Sequence, residues 1–270
     1  MMALLETNDL TVTFGGLNAN DGVDIKVEEG TFVGLIGPNG AGKTTFIDAI
    51  TGFVAPNVSR GSATFAGQDL LAMKPHERAK AGLSRTFQSL ELFDDLSVED
   101  NLLVAAEEPK WYSFLLDFVN PTRSTGVEDQ VDWALDVLDL AEHRDSYPTD
   151  LSHGQRKLVG VARALAAQPR LVLLDEPAAG LDTAESQILG GRLRSFLDHG
   201  ITVFLIDHDM GLVLNVCDYI YVLDFGQIIA EGTPDEIRVD PHVVAAYLGE
   251  QASELQEAGA SQARGEGGDK

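Results

Sequence analysis

The segment "GPNGAGKTT", from Gly37 to Thr45, constrains the fold of this chain more than any other stretch. It follows the apolar run "TFVGLI", which suits a buried β-strand, and it precedes "FIDAI", which suits a helix. Glycines let backbone N–H groups close around phosphate oxygens, and the N-terminus of the following helix adds a partial positive charge. A strand, a G-x-x-x-x-G-K-S/T loop and a helix in this order predict a P-loop that binds nucleotide phosphates.

The side chains of this loop have separate predicted roles. Lys43 is expected to reach the β- and γ-phosphates, and the hydroxyl of Thr44 is expected to ligate Mg²⁺. The alternative is a glycine-rich turn that happens to hold a lysine, and the strand and helix on either side disfavour it. The other predicted nucleotide contacts are Gly37, Pro38, Asn39, Gly40, Ala41, Gly42 and Thr45.

A second segment, "LVLLDEP", ends a buried strand in two carboxylates, Asp175 and Glu176. Carboxylates at a buried strand end are costly unless a cation meets them. Asp175 is therefore expected to hold the Mg²⁺ shell, and Glu176 to polarise an attacking water. A solvated strand end with an acidic turn before Pro177 is the alternative, which the neighbouring P-loop disfavours. Together the two segments predict an Mg²⁺-dependent nucleoside triphosphatase.

The pattern of apolar runs predicts an α/β fold. Continuous runs over Thr31–Gly37, Leu171–Asp175 and Thr202–Asp207 suit a parallel sheet covered by helices on both faces. The opening third alternates apolar and polar residues in "LTVTFG", "VDIKV" and "SATFAG", as half-buried antiparallel strands do. Residues Leu96 to Ala167 are helix-rich and include the amphipathic "VDWALDVLDLAEH", so they are expected to form a subdomain inserted into one core.

The C-terminal part of the sequence predicts a hairpin and a tail. "YIYVLDFGQIIAEG" is expected to turn near Phe225–Gly226. Residues beyond about Gln251 are small, polar and glycine-rich, which predicts a disordered tail over 251–270.

Composition excludes some functions. Against 43 acidic residues the chain has 19 basic ones, and the resulting net charge of -24 repels phosphate backbones, so nucleic acid is not an expected partner. The single cysteine, Cys217, cannot form an internal disulfide, which fits a reducing compartment. The N-terminus lacks the features of a signal peptide, and no uncharged apolar run approaches the roughly 20 residues that span a bilayer. We expect a soluble chain that another protein would hold at a membrane.

"LSHGQ", from Leu151 to Gln155 and here called the signature segment, precedes an amphipathic helix. Ser152 and Gln155 have the spacing of a capping box, which satisfies N–H groups of the first helical turn. The predicted core-facing stripe consists of Leu158, Val161, Ala162 and Leu165.

The order of P-loop, signature segment, "LVLLDEP" and the histidine of "LIDHD" resembles the ATP-binding-cassette (ABC) ATPases over about Leu4 to Glu250. The resemblance implies a P-loop NTPase (RecA-like) core with an N-terminal antiparallel β subdomain and an α-helical subdomain inserted at about 89–167. Residues 1–250 would form the ABC ATP-binding domain, which takes ATP and Mg²⁺.

The resemblance also assigns residues outside the P-loop. Gln88 in "RTFQ" matches the glutamine that touches the metal and the attacking water and senses the membrane partner, and His208 matches the histidine on the γ-phosphate. Asp182 in "AAGLD" matches the loop that crosses to the other subunit. Phe14 falls near the aromatic that stacks on adenine. Ordinary roles stay open as alternatives: a solvated Gln88, a capping or core His208 and a core Phe14.

In this family two cassettes face head to tail, and each signature segment covers the ATP of the other chain. The resemblance implies that Ser152, Gly154 and Gln155 contact that ATP. His153 is a departure, because most of the superfamily has glycine there.

Several segments, among them "RTFQSLELFDDLSVEDNLLVA" and "AEGTPDEIRVDPHVVAAYLGE", look like the ATP-binding subunits of branched-chain amino-acid importers and their urea and amide relatives. This resemblance implies an ATPase subunit on the cytoplasmic face of the cell membrane. Its implied partners are a second cassette, two transmembrane permease subunits around Gln88–Asp94 and, indirectly, an external solute-binding protein. The apolar run Glu108–Pro121 would supply core and part of the permease-facing surface.

Two other functions are weighed against this one. A soluble cassette protein of ribosomes or DNA repair is disfavoured, because such proteins usually carry two cassettes or a long coiled-coil insertion. A catalytically idle regulatory cassette is opposed by the presence of both Lys43 and Glu176.

Overall fold

The computed structural model describes residues 3–53, 58–86, 92–106 and 125–247, which form two sheets and the helices around them. The first sheet is antiparallel, in the order β2-β1-β4-β5. Its strands are β1 (Ala3–Phe14), β2 (Leu17–Glu28), β4 (Val58–Phe65) and β5 (Gln68–Asp69). Buried and exposed positions alternate along much of β2, as the sequence pattern predicts for a sheet with one buried face.

The second sheet has the order β10-β9-β3-β8-β7-β6, and only β10 runs antiparallel to its neighbour. Its strands are β3 (Phe32–Ile36), β6 (Leu83–Arg85), β7 (Leu171–Asp175), β8 (Thr202–Ile206), β9 (Tyr219–Asp224) and β10 (Gln227–Gly232). Every residue of β3, β7 and β8 is buried, which explains their continuous apolar sequences. The predicted hairpin is confirmed, with positive φ at Phe225 and Gly226 in the turn.

Helices cover the sheets. They are α1 (Lys43–Thr51), α2 (Pro75–Lys80), α3 (Val98–Ala106), α4 (Thr125–Val137), α5 (His153–Ala166), α6 (Thr183–Arg194), α7 (Met210–Val216) and α8 (Pro234–Val239), followed by helical residues 241–247. The helix-rich character predicted for Leu96–Ala167 is present in α3, α4 and α5, which pack on one another. Leu102, Leu135 and Leu165 of these helices share one buried cluster with Leu174 of β7.

Helix α4 is shorter than its amphipathic sequence pattern. It ends at Val137, and Asp139 takes a positive φ of 55°. The Leu140 N–H donates to the Leu135 carbonyl at 2.8 Å, which closes the helix with a left-handed turn. Leu138 and Leu140 stay buried on either side of that turn, so the apolar pattern continues although the helix does not.

Some sequence predictions lie outside the described residues: Gln88, the run Glu108–Pro121 and the tail over 251–270. None of the described helices is long and apolar enough to cross a bilayer.

The sheet topology brings the ends of several strands to one edge. Strands β6, β7, β8, β3 and β9 run parallel, so their carboxyl ends meet there. In open α/β sheets this edge is where ligands bind. The P-loop follows β3, and the predicted acidic and histidine residues follow β7 and β8.

Candidate nucleotide-binding site

The backbone of the P-loop requires glycine at two positions. Gly37 has φ 153°, and a Cβ there would overlap the carbonyl oxygen of Leu223 in β9. Gly42 has φ 106°, and a Cβ there would overlap the carbonyl oxygen of Ala19 in β2. The loop is thus wedged between two strands distant from it in sequence, and the Gly226 N–H also donates to the Ala41 carbonyl at 2.9 Å.

The start of α1 suits an anion. Gly42 is its N-cap and supplies no side-chain cap, and no acidic residue lies in its first turn. The N–H groups of that turn are therefore available to phosphate oxygens. Thr44 is exposed at this helix end, and the buried Lys43 bends back so that Nζ donates to the carbonyls of Gly37 and Pro38 at 2.5 and 2.9 Å.

Asp175 lies at the end of β7, where it pairs with Arg85, a residue that sequence analysis did not single out. Arg85 donates to Asp175 Oδ2 at 2.8 Å and to Asp48 Oδ1 of α1 at 2.6 Å, and all three side chains are mostly buried. The Asp175 N–H donates to the Thr86 hydroxyl at 3.2 Å. Arg85 thus bridges the carboxylate of the P-loop helix and the carboxylate at the end of β7, and its single positive charge compensates part of their negative charge.

The residues predicted for Mg²⁺ fit that ion. The Thr44 hydroxyl and the Asp175 carboxylate are oxygen donors, which Mg²⁺ prefers, and Mg²⁺ takes its remaining ligands from phosphate and water. The pairing of Asp175 with a guanidinium shows that this carboxylate already lies where a cation compensates it.

The structure brings Glu176 and His208 together. His208 Nδ1 lies 3.9 Å from Glu176 Oε1 and 3.6 Å from Asp207 Oδ1. Glu176 takes a left-handed φ of 47°, and its N–H donates to the Ile206 carbonyl at 2.7 Å. His208 is exposed, so the pair lies at the surface of the sheet edge.

The predicted capping box of the signature segment is confirmed. The Gln155 N–H donates to the Ser152 hydroxyl at 3.2 Å, and the Ser152 N–H donates to Gln155 Oε1 at 2.9 Å. Gln155 Nε2 also lies 2.8 Å from His143 Nε2, a contact that the sequence did not indicate. Ser152 and His153 are exposed, and the predicted stripe of α5 is buried.

The loop from Glu176 to Asp182 connects the end of β7 to α6. Asp182 is the exposed N-cap of α6, where it accepts from the Glu185 N–H at 2.8 Å. Two buried charged residues contact the middle of the loop. Lys157 Nζ donates to the Pro177 carbonyl at 3.2 Å, and Asp207 Oδ2 accepts from the Ala178 N–H at 3.3 Å.

Burial shifts the pKa of both residues. It lowers the pKa of the Lys157 ammonium, an effect that the carboxylates of Asp207 and Glu176 oppose. It raises the pKa of the Asp207 carboxyl, an effect that the N–H groups of Asp209 and Ala178 oppose.

Phe14 lies half-exposed at the end of β1, in the hairpin that leads to β2. That hairpin is attached to the P-loop, because Asn20 Nδ2 donates to the Gly42 carbonyl at 3.1 Å. Stacking of Phe14 on adenine stays a prediction.

Comparison with known proteins decides the family. A family model described as "ABC transporter" matches residues 20–179, more than half of the chain. The chain belongs to the ABC transporter family. It is therefore an ATPase cassette, and the predicted P-loop NTPase fold is confirmed. A second model, described as "Branched-chain amino acid ATP-binding cassette transporter", matches residues 227–253.

Similar proteins span the cassette almost completely. This chain is 40% identical over 254 residues to the high-affinity branched-chain amino acid transport ATP-binding protein BraF of Pseudomonas aeruginosa. The match covers 92% of this chain and 98% of BraF. The chain is 38% identical over 253 residues to LivG of Escherichia coli, which bears the same description, covering 92% and 98%. The crystal structure of the ADP conformation of MJ1267, an ATP-binding cassette of an ABC transporter, matches with a TM-score of 0.81 and 34% identity, covering 93% of this chain and all of MJ1267.

Proposed function

We propose that this cassette hydrolyses ATP to drive an importer of branched-chain amino acids. The substrate assignment is supported by the descriptions of BraF and LivG and by the family match over residues 227–253. Hydrolysis by these particular residues is supported by one observation: Glu176 and His208 converge at the sheet edge that also carries the P-loop, with 3.9 Å between His208 Nδ1 and Glu176 Oε1.

The side chains have distinct roles in this proposal. Lys43 and the N–H groups of the P-loop bind the phosphates, while Thr44 and Asp175, with Gln88, hold Mg²⁺. Mg²⁺ neutralises charge on the phosphates when it is bound. Glu176 polarises the attacking water and His208 contacts the γ-phosphate.

The cassette works in a head-to-tail dimer in this proposal. Ser152, Gly154, Gln155 and Asp182 then face the ATP and the surface of the other cassette. The exposure of Ser152 and Asp182, each at the N-terminus of a helix, supports this arrangement. Residues 1–250 form the cassette, with the helical subdomain inserted at about 89–167.

The dimer lies on the cytoplasmic face of the membrane against two permease subunits, and an external solute-binding protein delivers the amino acid to those permeases. The net charge of -24 disfavours nucleic acid as a partner.

The test is ATP hydrolysis and uptake by the complete complex in lipid vesicles. The complex is assembled from this cassette, its partner cassette, the permeases and the binding protein of the same importer. Leucine, isoleucine or valine on the binding protein should stimulate both ATP hydrolysis and uptake. Stimulation by urea or short amides instead would overturn the substrate assignment, and hydrolysis without any uptake would overturn the transport role.

A further inference from the structure

Lys157 lies on α5, two residues after Gln155, with its ammonium group inside the protein. The residue is 8% exposed. Its Nζ donates to the Pro177 carbonyl at 3.2 Å, to the Glu176 carbonyl at 3.5 Å and to the Ala179 carbonyl. A lysine ammonium has three N–H donors, and here the three acceptors all belong to one loop.

The same loop is also held by Asp207, the residue before His208. Asp207 is fully buried, and it accepts from the Ala178 N–H at 3.3 Å and from the Asp209 N–H at 3.0 Å. Lys157 and Asp207 thus fix neighbouring positions of the loop that runs from Glu176 to Asp182. One attachment comes from α5, which begins in the signature segment, and the other comes from the segment that carries His208.

The signature segment also touches this loop directly. The ring of His153 lies against Gly180, where a Cβ would be 3.4 Å from His153 Nε2. A Cβ on Gly154 would lie 3.5 Å from Leu181 Cδ2. Movement of the start of α5 therefore reaches the loop through packing as well as through the ammonium group.

We propose that Lys157 is a positioning residue that couples the two ATP sites of the dimer. It joins the helix whose N-terminus faces the partner's ATP to the loop whose first residue, Glu176, serves the cassette's own ATP. Contact between Ser152 and the partner's nucleotide thereby sets the position of Glu176. This inference rests on the proposed head-to-tail dimer.

The backbone of Glu176 makes such a coupling effective. A left-handed φ at a residue other than glycine is strained, so it persists only where the surroundings fix it. The Glu176 carbonyl accepts from Lys157 and from the Ala179 N–H, and its N–H donates to β8. Loss of the ammonium removes an attachment of this residue to α5.

Two substitutions and one control test the proposal in the complete complex. Lys157→Met removes the donors and retains an apolar stem, whereas Lys157→Gln keeps two N–H donors without a charge. Lys26→Met is the control, because Lys26 is an exposed lysine paired only with neighbouring Glu28 among the ion pairs described.

Lys157→Met should lower kcat for ATP by about 10- to 100-fold, as expected for misplacement of a catalytic group by about 1 Å. The Hill coefficient for ATP should fall towards 1, because the two sites no longer communicate. ATP affinity of the isolated chain should change less than twofold, and amide hydrogen exchange should rise over residues 176–182. Lys157→Gln should recover part of kcat, and Lys26→Met should match the wild type.

Wild-type kcat and cooperativity in Lys157→Met would overturn the coupling role and leave the proposed function intact. An equal loss of kcat, ATP affinity and folded protein in both Lys157 variants would also overturn it, since that pattern indicates a structural role alone. A wild-type complex without solute-stimulated hydrolysis would contradict the proposed function, and the inference would fall with it.

Discussion

The N-termini of α1 and α5 differ in how their backbone N–H groups are used. Helix α1 starts after Gly42, whose φ of 106° and missing side chain leave the first turn without a side-chain cap. Helix α5 starts after Ser152, and the capping box with Gln155 satisfies the N–H groups of these two residues within the chain. Both helix ends are proposed to contact ATP, but the capping box occupies the N–H groups of Ser152 and Gln155 at α5, whereas no side chain caps α1.

This difference indicates a division of work. A helix end without a side-chain cap can bind phosphate in an isolated chain, because no capping side chain occupies its donors. In the proposed dimer, the capping box keeps the Ser152 hydroxyl in place until another cassette brings a phosphate. In the proposed function, the N-terminus of α1 thus serves nucleotide binding and the N-terminus of α5 serves dimer closure.

The substitution with the largest expected effect blocks ATP hydrolysis and leaves the N-termini of α1 and α5 unchanged. Glu176→Gln should lower the ATPase rate by about 10²- to 10⁴-fold, because loss of a positioned base has this effect, while ATP binding persists. The variant should accumulate as a closed dimer with ATP, measured by sedimentation with the native partner cassette. Turnover close to that of the wild type would contradict the role of Glu176.

The next effect concerns the ion pairs beside α1. Arg85→Met leaves Asp48 and Asp175 without their shared guanidinium and should lower the free energy of unfolding by about 2–4 kcal/mol. Mg²⁺ with ATP should recover part of this loss, because the metal compensates Asp175. The control is Arg60→Met at an exposed pair with Asp9, which should cost less than about 1 kcal/mol in urea unfolding. Equal losses in the two variants would contradict the role of Arg85 as the shared partner of two buried carboxylates.

A paired measurement tests the comparison of the two helix ends directly. Lys43→Ala should lower ATP affinity of the isolated chain about 10- to 100-fold, the effect of losing a charged hydrogen bond of about 1.5–3 kcal/mol. Ser152→Ala should leave that affinity unchanged and weaken only the closed dimer on the Glu176→Gln background, by a similar factor. Equal losses of ATP affinity in the two isolated chains would mean that the signature segment acts within its own chain.

The smallest expected effect concerns Ser152, where two substitutions separate its role as a helix cap from its proposed contact with the partner cassette's ATP. Ser152→Ala should lower the free energy of unfolding by about 1 kcal/mol, the usual value of an N-cap. Ser152→Asp should restore that stability, since aspartate caps well, but should prevent dimer closure by repelling the partner's γ-phosphate. Thermal unfolding and sedimentation measure the two properties separately. A Ser152→Asp chain that closes normally would exclude contact of this side chain with phosphate.

Much of the fold could be predicted because its signals are local. The P-loop spacing, the continuous strands, the capping box and the turn at Phe225–Gly226 each depend on residues that are neighbours in sequence. The end of α4 could not be predicted, because Leu138 and Leu140 continue the apolar pattern beyond the left-handed turn at Asp139.

The site was only partly predictable for a related reason. Motif residues such as Lys43 and Asp175 can be recognised from their spacing in the sequence, whereas the residues that contact them cannot. Arg85 and Asp175 are brought together by the pairing of β6 with β7, and Lys157 reaches its loop across the interior. Nothing in the sequence near an isolated arginine or lysine indicates which distant carbonyl or carboxylate it will meet.

The contact between the P-loop and the turn at Phe225–Gly226 has a consequence for co-translational folding. The P-loop is translated well before the turn that donates to the Ala41 carbonyl. At ordinary synthesis rates this interval is on the order of 10 to 40 s. During this interval the P-loop lacks its contacts with the turn and with β9, because β9 supplies the Leu223 carbonyl beside Gly37. The nascent chain therefore completes these contacts of the P-loop only after β9 and the turn have been translated.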